Sequence, residues 1–252
     1  MTIKIGVSGI SGRMGRLIAE EVLADNALEL VTALEVKGHK SLGKRAGDLI
    51  GLKDKGPLIT DNPAAISLSQ VFIEFTSPLA TQEHLFICQD KGIAMVIGTT
   101  GLDKKIEAEI KEASSRIAIV YSSNMSVGVN LLFRLTREAG KVLGKDFDIE
   151  IIEAHHRHKK DKPSGTARRL AEIIGEARGN PLSGQAVHSL RAGEIVGEHT
   201  VVFAGSGERV ELVHRAENRR TFASGAVKAA RFAARARPGL YTMSEVLFGE
   251  KT

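Results

Sequence analysis

The 252-residue chain has no tryptophan, two tyrosines and a single cysteine. So few large rings leave little on which single-stranded bases would stack. One thiol, Cys88, excludes an internal disulfide; its apolar setting (LFICQD) reads as a buried small side chain rather than a nucleophile. A continuous apolar run of ~18 residues is also missing, so no membrane span is expected. The N-terminus, MTIKIGVSG, enters a strand-like pattern without the charged region, apolar stretch and cleavage site of a secretory signal. A cytoplasmic location is the resulting expectation.

What is present is the composition of an ordinary globular protein, 42% hydrophobic and 26% charged, long enough for one large domain or two modest ones. The net charge of +5 favours anionic partners without choosing among phosphorylated cofactors, carboxylates and nucleic acids. From Arg219 to Arg237, both included, there are six basic residues and no acidic one. Lys228, Arg231 and Arg235 share one face of an Ala-rich helical pattern, which reads as a solvated helix face. Nucleic acid is not expected as a partner.

The first ~125 residues alternate β-branched runs with amphipathic stretches, the pattern of a parallel sheet covered by helices on both faces. Strands are predicted over 3–8, 28–35, 71–75, 93–97 and 117–121. Met14, Leu17, Ile18 and Val22 recur at helical spacing between the first two. Residues 37–56 read as loop with a short helix at 46–50. Beyond Asn124 a helix over 130–143, a strand over 147–153 and a helix over 166–177 are predicted. An antiparallel hairpin over 195–203 and 209–213 follows, then helix over 221–248 packing back on the first domain. The domain reading is 1–126 with 219–252, and 127–218.

The first strand runs into GVSGISGRMG, which places Gly9, Gly12 and Gly15 between a strand and a helix. Glycine permits a tight turn and close backbone approach to a pyrophosphate, and the helix N-terminus adds partial positive charge. Glu35 ends the second strand 20 residues after Gly15, where a carboxylate accepts hydrogen bonds from ribose hydroxyls. A dinucleotide is the implied cofactor. Glu35 repels a 2′-phosphate whereas Lys37, Arg13 and Arg16 attract one, so NADH and NADPH both stay open. The loops Phe75-Thr76-Ser77-Pro78 and Gly98-Thr99-Thr100-Gly101 follow two further strands, on the sheet edge where open α/β folds bind ligands, and suit the nicotinamide end.

The segment EAHHRHKKDKPSGTA, residues 153–167, gathers three histidines and three lysines after a strand. The spacing of His155, His156 and His158 matches neither HExxH nor a Cys/His zinc pattern, so no metal is expected. Ser164-Gly165-Thr166 opens the next helix and offers backbone N–H groups and hydroxyls to a carboxylate. A carbon that accepts hydride needs a proton at the adjoining atom, which histidine can give near neutral pH, and lysines stabilise negative charge.

Taken together, EAHHRHKKDKPSGTA, GISGRMG, the FTSP and GTTG loops, SNMSVGVN at 123–130 and RAGEIVGEH at 191–199 make the chain resemble the dihydrodipicolinate reductase family over essentially its whole length. The resemblance implies a Rossmann-type parallel sheet domain, completed by the C-terminal segment, and a mixed α/β domain whose open sheet builds a homotetramer. It implies NAD(P)H reduction of the ring formed from 4-hydroxy-tetrahydrodipicolinate after loss of water, a small dicarboxylate. His155 and Lys159 are implied as the catalytic pair, His155 as proton donor; His156, Ser164, Gly165 and Thr166 as substrate-binding residues. The implied cofactor residues are Gly9, Ser11, Gly12, Arg13, Met14, Glu35, Phe75, Thr76, Gly98, Thr99, Thr100, Ser123, Asn124, Met125 and Arg219. Three positions depart from the family pattern: Glu74 stands where Asp is expected, Ser11 where Gly is frequent, and Val36 leaves no arginine after Glu35. An NAD(P)-dependent dehydrogenase of another amino or keto acid is the alternative reading; it shares the first domain but not the histidine-rich loop.

Overall fold

The computed structural model describes residues 2–249 apart from residue 183, and only the backbone of residue 185. Residues 1 and 250–252, which the sequence reading assigns to the first domain, lie outside the described residues. The chain divides into two units, Met1–Met125 with Phe222–Thr252, and Ser126–Thr221.

The first unit begins with β1 (Ile3–Val7), α1 (Arg13–Leu23), β2 (Leu28–Leu34), β3 (Ile59–Thr60), β4 (Val71–Glu74), α2 (Pro78–Lys91), β5 (Ala94–Ile97), α3 (Lys104–Ala113) and β6 (Ala118–Tyr121). A 3-10 turn occupies Ala46–Ile50, and a second, Pro63–Leu68, precedes β4. The second unit contains α4 (Val127–Leu143), β7 (Asp148–His155), α5 (Gly165–Arg178), β8 (Val187–Arg191), β9 (Gly197–Ala204) and β10 (Arg209–Ala216). The chain then forms α6 (Arg220–Ala233), β11 (Gly239–Tyr241) and α7 (Met243–Phe248).

The larger sheet is parallel, in the order β11-β6-β5-β4-β1-β2-β3. Every residue of β4 and β5 is buried, which explains why VFIE and AMVI read as continuous runs rather than alternations: helices cover both faces. One face packs Ile5, Val7, Ile18, Val22, Ala226 and Ala230; the other packs Phe72, Leu85, Met95, Ile97, Ile106 and Ile110. Cys88 sits in the second layer, fully buried, and burial pushes its thiol pKa up. Strand order reverses between β1 and β4, the position at which open α/β sheets receive ligands beyond the strand ends.

The helix expected over 221–248 is interrupted. Helix α6 ends at Ala233; Pro238 lacks an N–H and fixes its own φ, so no unbroken helix runs through it, and residues 239–241 add to the sheet edge beside β6. In the second unit the order β10-β9-β7-β8 makes the predicted hairpin from β9 and β10. Strand β8, not anticipated, pairs parallel with β7, so the sheet is mixed. Leu132, Ile151, Leu170, Ile174, Val201 and Phe203 form the core between this sheet and α4 and α5.

Candidate active site and cofactor-binding residues

Beyond β1 the chain turns at Gly9, whose φ of +60° is one that side chains rarely adopt. The Gly12 N–H donates to the Gly9 carbonyl at 2.8 Å, and a Cβ on Gly15 would run into that same carbonyl oxygen. Helix α1 therefore starts hard against the turn. Its N-cap, Gly12, makes no side-chain cap and its first turn has no acid, leaving the amide dipoles for an anion. Arg13 is exposed and Met14 packs partly against the core. The Ser11 N–H donates to Glu35 Oε2 and the Val36 N–H to Glu35 Oε1, both at 2.9 Å. A carboxylate has about four acceptor sites, so ribose hydroxyls still find partners there. Ser11 Oγ lies 2.6 Å from Ser41 Oγ, which ties the turn to the following loop.

Phe75 and Thr76 follow β4, Gly98, Thr99 and Thr100 follow β5, and Ser123, Asn124 and Met125 come soon after β6. With Gly9 and Glu35, these segments line the carboxyl edge of five adjacent strands. Thr99 and Met125 are buried, whereas Thr76, Thr100 and Ser123 face solvent. The cradle fits a dinucleotide: a positive-φ glycine, an uncapped helix start and a carboxylate at the next strand end occur together. Arg219 belongs to the second unit, where its positive charge acts with burial to lower the pKa of His156.

In the second unit β7 alternates, directing Ile149, Ile151, Glu153 and His155 inward. Glu153 is fully buried and accepts a short hydrogen bond from His155 Nδ1. Arg191 closes on the same carboxylate with two bonds, Nη1 to Oε2 at 2.9 Å and Nη2 to Oε1 at 2.7 Å. The Ser164 N–H adds a bond of 3.2 Å. Burial opposes ionisation of Glu153, but hydrogen bonds from the Arg191, Ser189 and His155 side chains and the charge of His155 hold its pKa down to about 2. The same Arg191 guanidinium donates to the Asp161 carbonyl at 2.6 Å and the Lys159 carbonyl at 3.3 Å, pinning the basic loop onto the strand end.

His155 is itself nearly buried. Desolvation lowers its pKa, the Glu153 bond and charge raise it, and Lys159 and Arg191 lower it again; the net shift is downward. With Nδ1 committed to Glu153, Nε2 is the nitrogen left for chemistry. A Cβ on Gly197 would stand 3.1 Å from that atom, so glycine at the start of β9 keeps its approach clear. His199, one strand over, meets His155 edge-to-face at 5.2 Å and accepts from or donates to Ser164 Oγ at 3.3 Å. Burial brings His199 down to about 3, so this ring is neutral.

Lys159 Nζ pairs with Asp161 Oδ1 at 2.9 Å, near the end of the loop that His155 begins. Ser164 caps α5, its Oγ accepting from the Ala167 N–H, and Gly165 and Thr166 form the first turn. The His156 and His158 rings lie 6.2 Å apart, centroid to centroid. Among the described residues no three His, Cys, Asp or Glu side chains gather as metal ligands, and no helix is long and apolar enough to cross a membrane.

Sequence reasoning assigned no role to Glu153, Arg191, Gly197 or His199. A signal existed for Glu153, since residues two apart on a strand share a face. Arg191 and His199 reach the site only through register, His155 opposite Arg191 and Glu153 opposite His199.

Residues 3–125 match the family described as dihydrodipicolinate reductase, N-terminus, and residues 128–247 the corresponding C-terminal family. The 4-hydroxy-tetrahydrodipicolinate reductase of Nitrosospira multiformis is 48% identical over 264 residues, covering 98% of both chains. That of Thiobacillus denitrificans is 44% identical over 265 residues, covering 98% of this chain and 99% of its own. The dipicolinate-bound dihydrodipicolinate reductase from Paenisporosarcina sp. TG-14 shares the fold with a TM-score of 0.78, at 24% identity over 97% of this chain and 99% of that one.

Proposed function

The chain belongs to the dihydrodipicolinate reductase family, an NAD(P)H-dependent oxidoreductase family, and from this premise we propose that it reduces 4-hydroxy-tetrahydrodipicolinate, after loss of water, to tetrahydrodipicolinate in diaminopimelate and lysine synthesis. The observation that carries the residue roles is the buried Glu153 carboxylate, which Arg191 neutralises and which fixes His155 with Nε2 free.

NADH or NADPH, when bound, supplies the hydride. Gly9, Ser11, Gly12, Arg13 and Met14 would hold the pyrophosphate, and Glu35 would take the adenosine ribose. Phe75, Thr76, the Gly98 to Thr100 loop and the backbone at Ser123 to Met125 hold the nicotinamide end, and Arg219 adds positive charge. The ring's two carboxylates fall to His156, Ser164, Gly165 and Thr166, where the start of α5 offers backbone donors. His155 gives a proton from Nε2 to the atom adjoining the reduced carbon. Lys159 steadies the charge that develops there, exchanging its half-exposed partner Asp161 for the substrate. The dianion also compensates the burial that keeps His155 neutral: opposite charge raises an imidazole pKa, so arrival of the ring loads the acid. The family further supports a homotetramer built on the open sheet, and a cytoplasmic location.

The test is oxidation of NADH and of NADPH, followed spectrophotometrically, with the product of coupled dihydrodipicolinate synthase as acceptor. His155→Gln and Lys159→Ala are each expected to lower kcat at least ~100-fold while NADH still binds. Near-wild-type turnover in both variants overturns the roles. Turnover of another amino or keto acid with none of this ring overturns the substrate.

A further inference from the structure

Behind the carboxyl edge of the larger sheet lies a second buried acid–imidazole pair, unrelated in sequence to the His155 site. Glu74, the last residue of β4, has no exposed surface. One of its oxygens accepts from both the backbone N–H and the hydroxyl of Thr76, and the other lies 2.5 Å from His84 Nδ1 on α2. The His84 ring is braced edge-on against Phe72 of the same strand, 5.3 Å between centroids. A carboxyl group and an imidazole inside an apolar layer are costly to desolvate, and packed hydrophobic side chains would hold the layer at least as well. Its position calls for a reason other than stability.

That reason lies in what the pair touches. Thr76, held twice by Glu74, carries a methyl that would stand 2.7 Å from a Cβ on Gly9, so it rests on the positive-φ turn. Glu74 also accepts the Gly98 N–H at its main-chain oxygen, 2.9 Å away, and the Phe75 ring lies directly over Gly98, where any Cβ would collide with it. One helical turn before His84, the Thr81 hydroxyl lies 2.9 Å from both the Ser77 carbonyl and Thr99 Oγ1. His84 and Thr81 of α2, with Glu74, thus tie three loops together: the glycine turn through the Glu74-held Thr76, the 75–77 loop through Glu74 and Thr81, and the 98–100 loop through Thr81 and the Glu74 carbonyl.

We propose that Glu74 and His84, with Thr81, are positioning residues that set the spacing between the pyrophosphate turn and the two loops for the nicotinamide end, without touching the cofactor. This rests on the dinucleotide reading above. A ligand that uses only the adenosine and diphosphate subsite should be indifferent to the pair; one that must also seat its nicotinamide should not.

The experiment measures the dissociation constants of NADH and of ADP-ribose, which lacks the nicotinamide ring, by titration calorimetry on the wild-type protein and on Glu74→Gln, Glu74→Asp, His84→Gln and Thr81→Val. For Glu74→Gln and His84→Gln the NADH constant should rise by about tenfold while that of ADP-ribose stays within about twofold. Glu74→Asp, which keeps the carboxylate, should recover most of the NADH affinity. Thr81→Val loses one buried hydroxyl and keeps the volume, so it tests the idea even if the Gln variants do not fold, and it should weaken NADH alone. NADH and ADP-ribose weakening together, or neither changing, overturns the positioning role. If the wild-type protein binds neither ligand, it is the dinucleotide reading that fails.

Discussion

Burial strips water from the His155 imidazole and favours its neutral form, whereas the Glu153 carboxylate at Nδ1 favours the charged one; burial prevails. The acid that gives the proton is the charged form, so activity should fall as pH rises through the pKa of this ring. In the free protein that pKa lies below the ordinary histidine value, and kcat/KM, which reports the free enzyme, should decline on a limb there. The limb of kcat should lie at higher pH, because the bound dianion raises the same group. Glu153→Gln removes the negative charge and keeps an acceptor for Nδ1, so the kcat/KM limb should move down by about one unit. A pH profile identical to wild type would show that Glu153 does not act on His155. His155→Gln should abolish the limb in both parameters.

At the scale of elements, the start of α5 joins helix stability to anion binding. Ser164 Oγ caps the helix through the Ala167 N–H and reaches His199, while its own N–H supports Glu153. Ser164→Ala should therefore cost about 1 kcal/mol in urea unfolding and raise KM for the acceptor several-fold more than it lowers kcat. An unchanged KM would confine Ser164 to capping. The first-unit strands were legible because β4 and β5 are short apolar runs bounded by small turn residues. Helix α1 was legible because Ile18 and Val22 lie one turn apart on its buried side. Strand β8 was not: in VHSLR the half-buried and exposed positions alternate without the apolar alternation that marks a strand, and its partner β7 precedes it by a whole helix. The end of α6 was misread because the alanine-rich periodicity runs on to Ala236, past the last helical residue, Ala233. In the basic loop the residue types disclosed the chemistry, but the arginine that holds it lies 38 residues from Glu153 and is brought to it by the pairing of β8 with β7.

At the scale of the molecule, among the described residues the second unit covers only one face of its four-stranded sheet with helices. On the other face Ile152 of β7 stands opposite Thr200 of β9, and Thr200 opposite Val213 of β10, with His188 of β8 completing the row. Ile152, Leu190 and Val213 are 46%, 54% and 43% exposed, more than a sheet interior leaves open, and the neighbouring row carries Glu150, Val202 and Glu211. Exposed apolar side chains beside carboxylates set a register, and a second copy of the same face satisfies it through two-fold symmetry. Ile152→Asp combined with Val213→Asp places two carboxylates where such a contact would desolvate them, at a cost that assembly cannot offset. Within the single chain both side chains already face water, so the thermal transition of the unit's secondary structure should stay cooperative. Light scattering should then report a four-copy mass for the wild-type protein and a smaller species for the double variant. A wild-type protein that scatters as one copy, or a variant that keeps four, removes this face from the assembly.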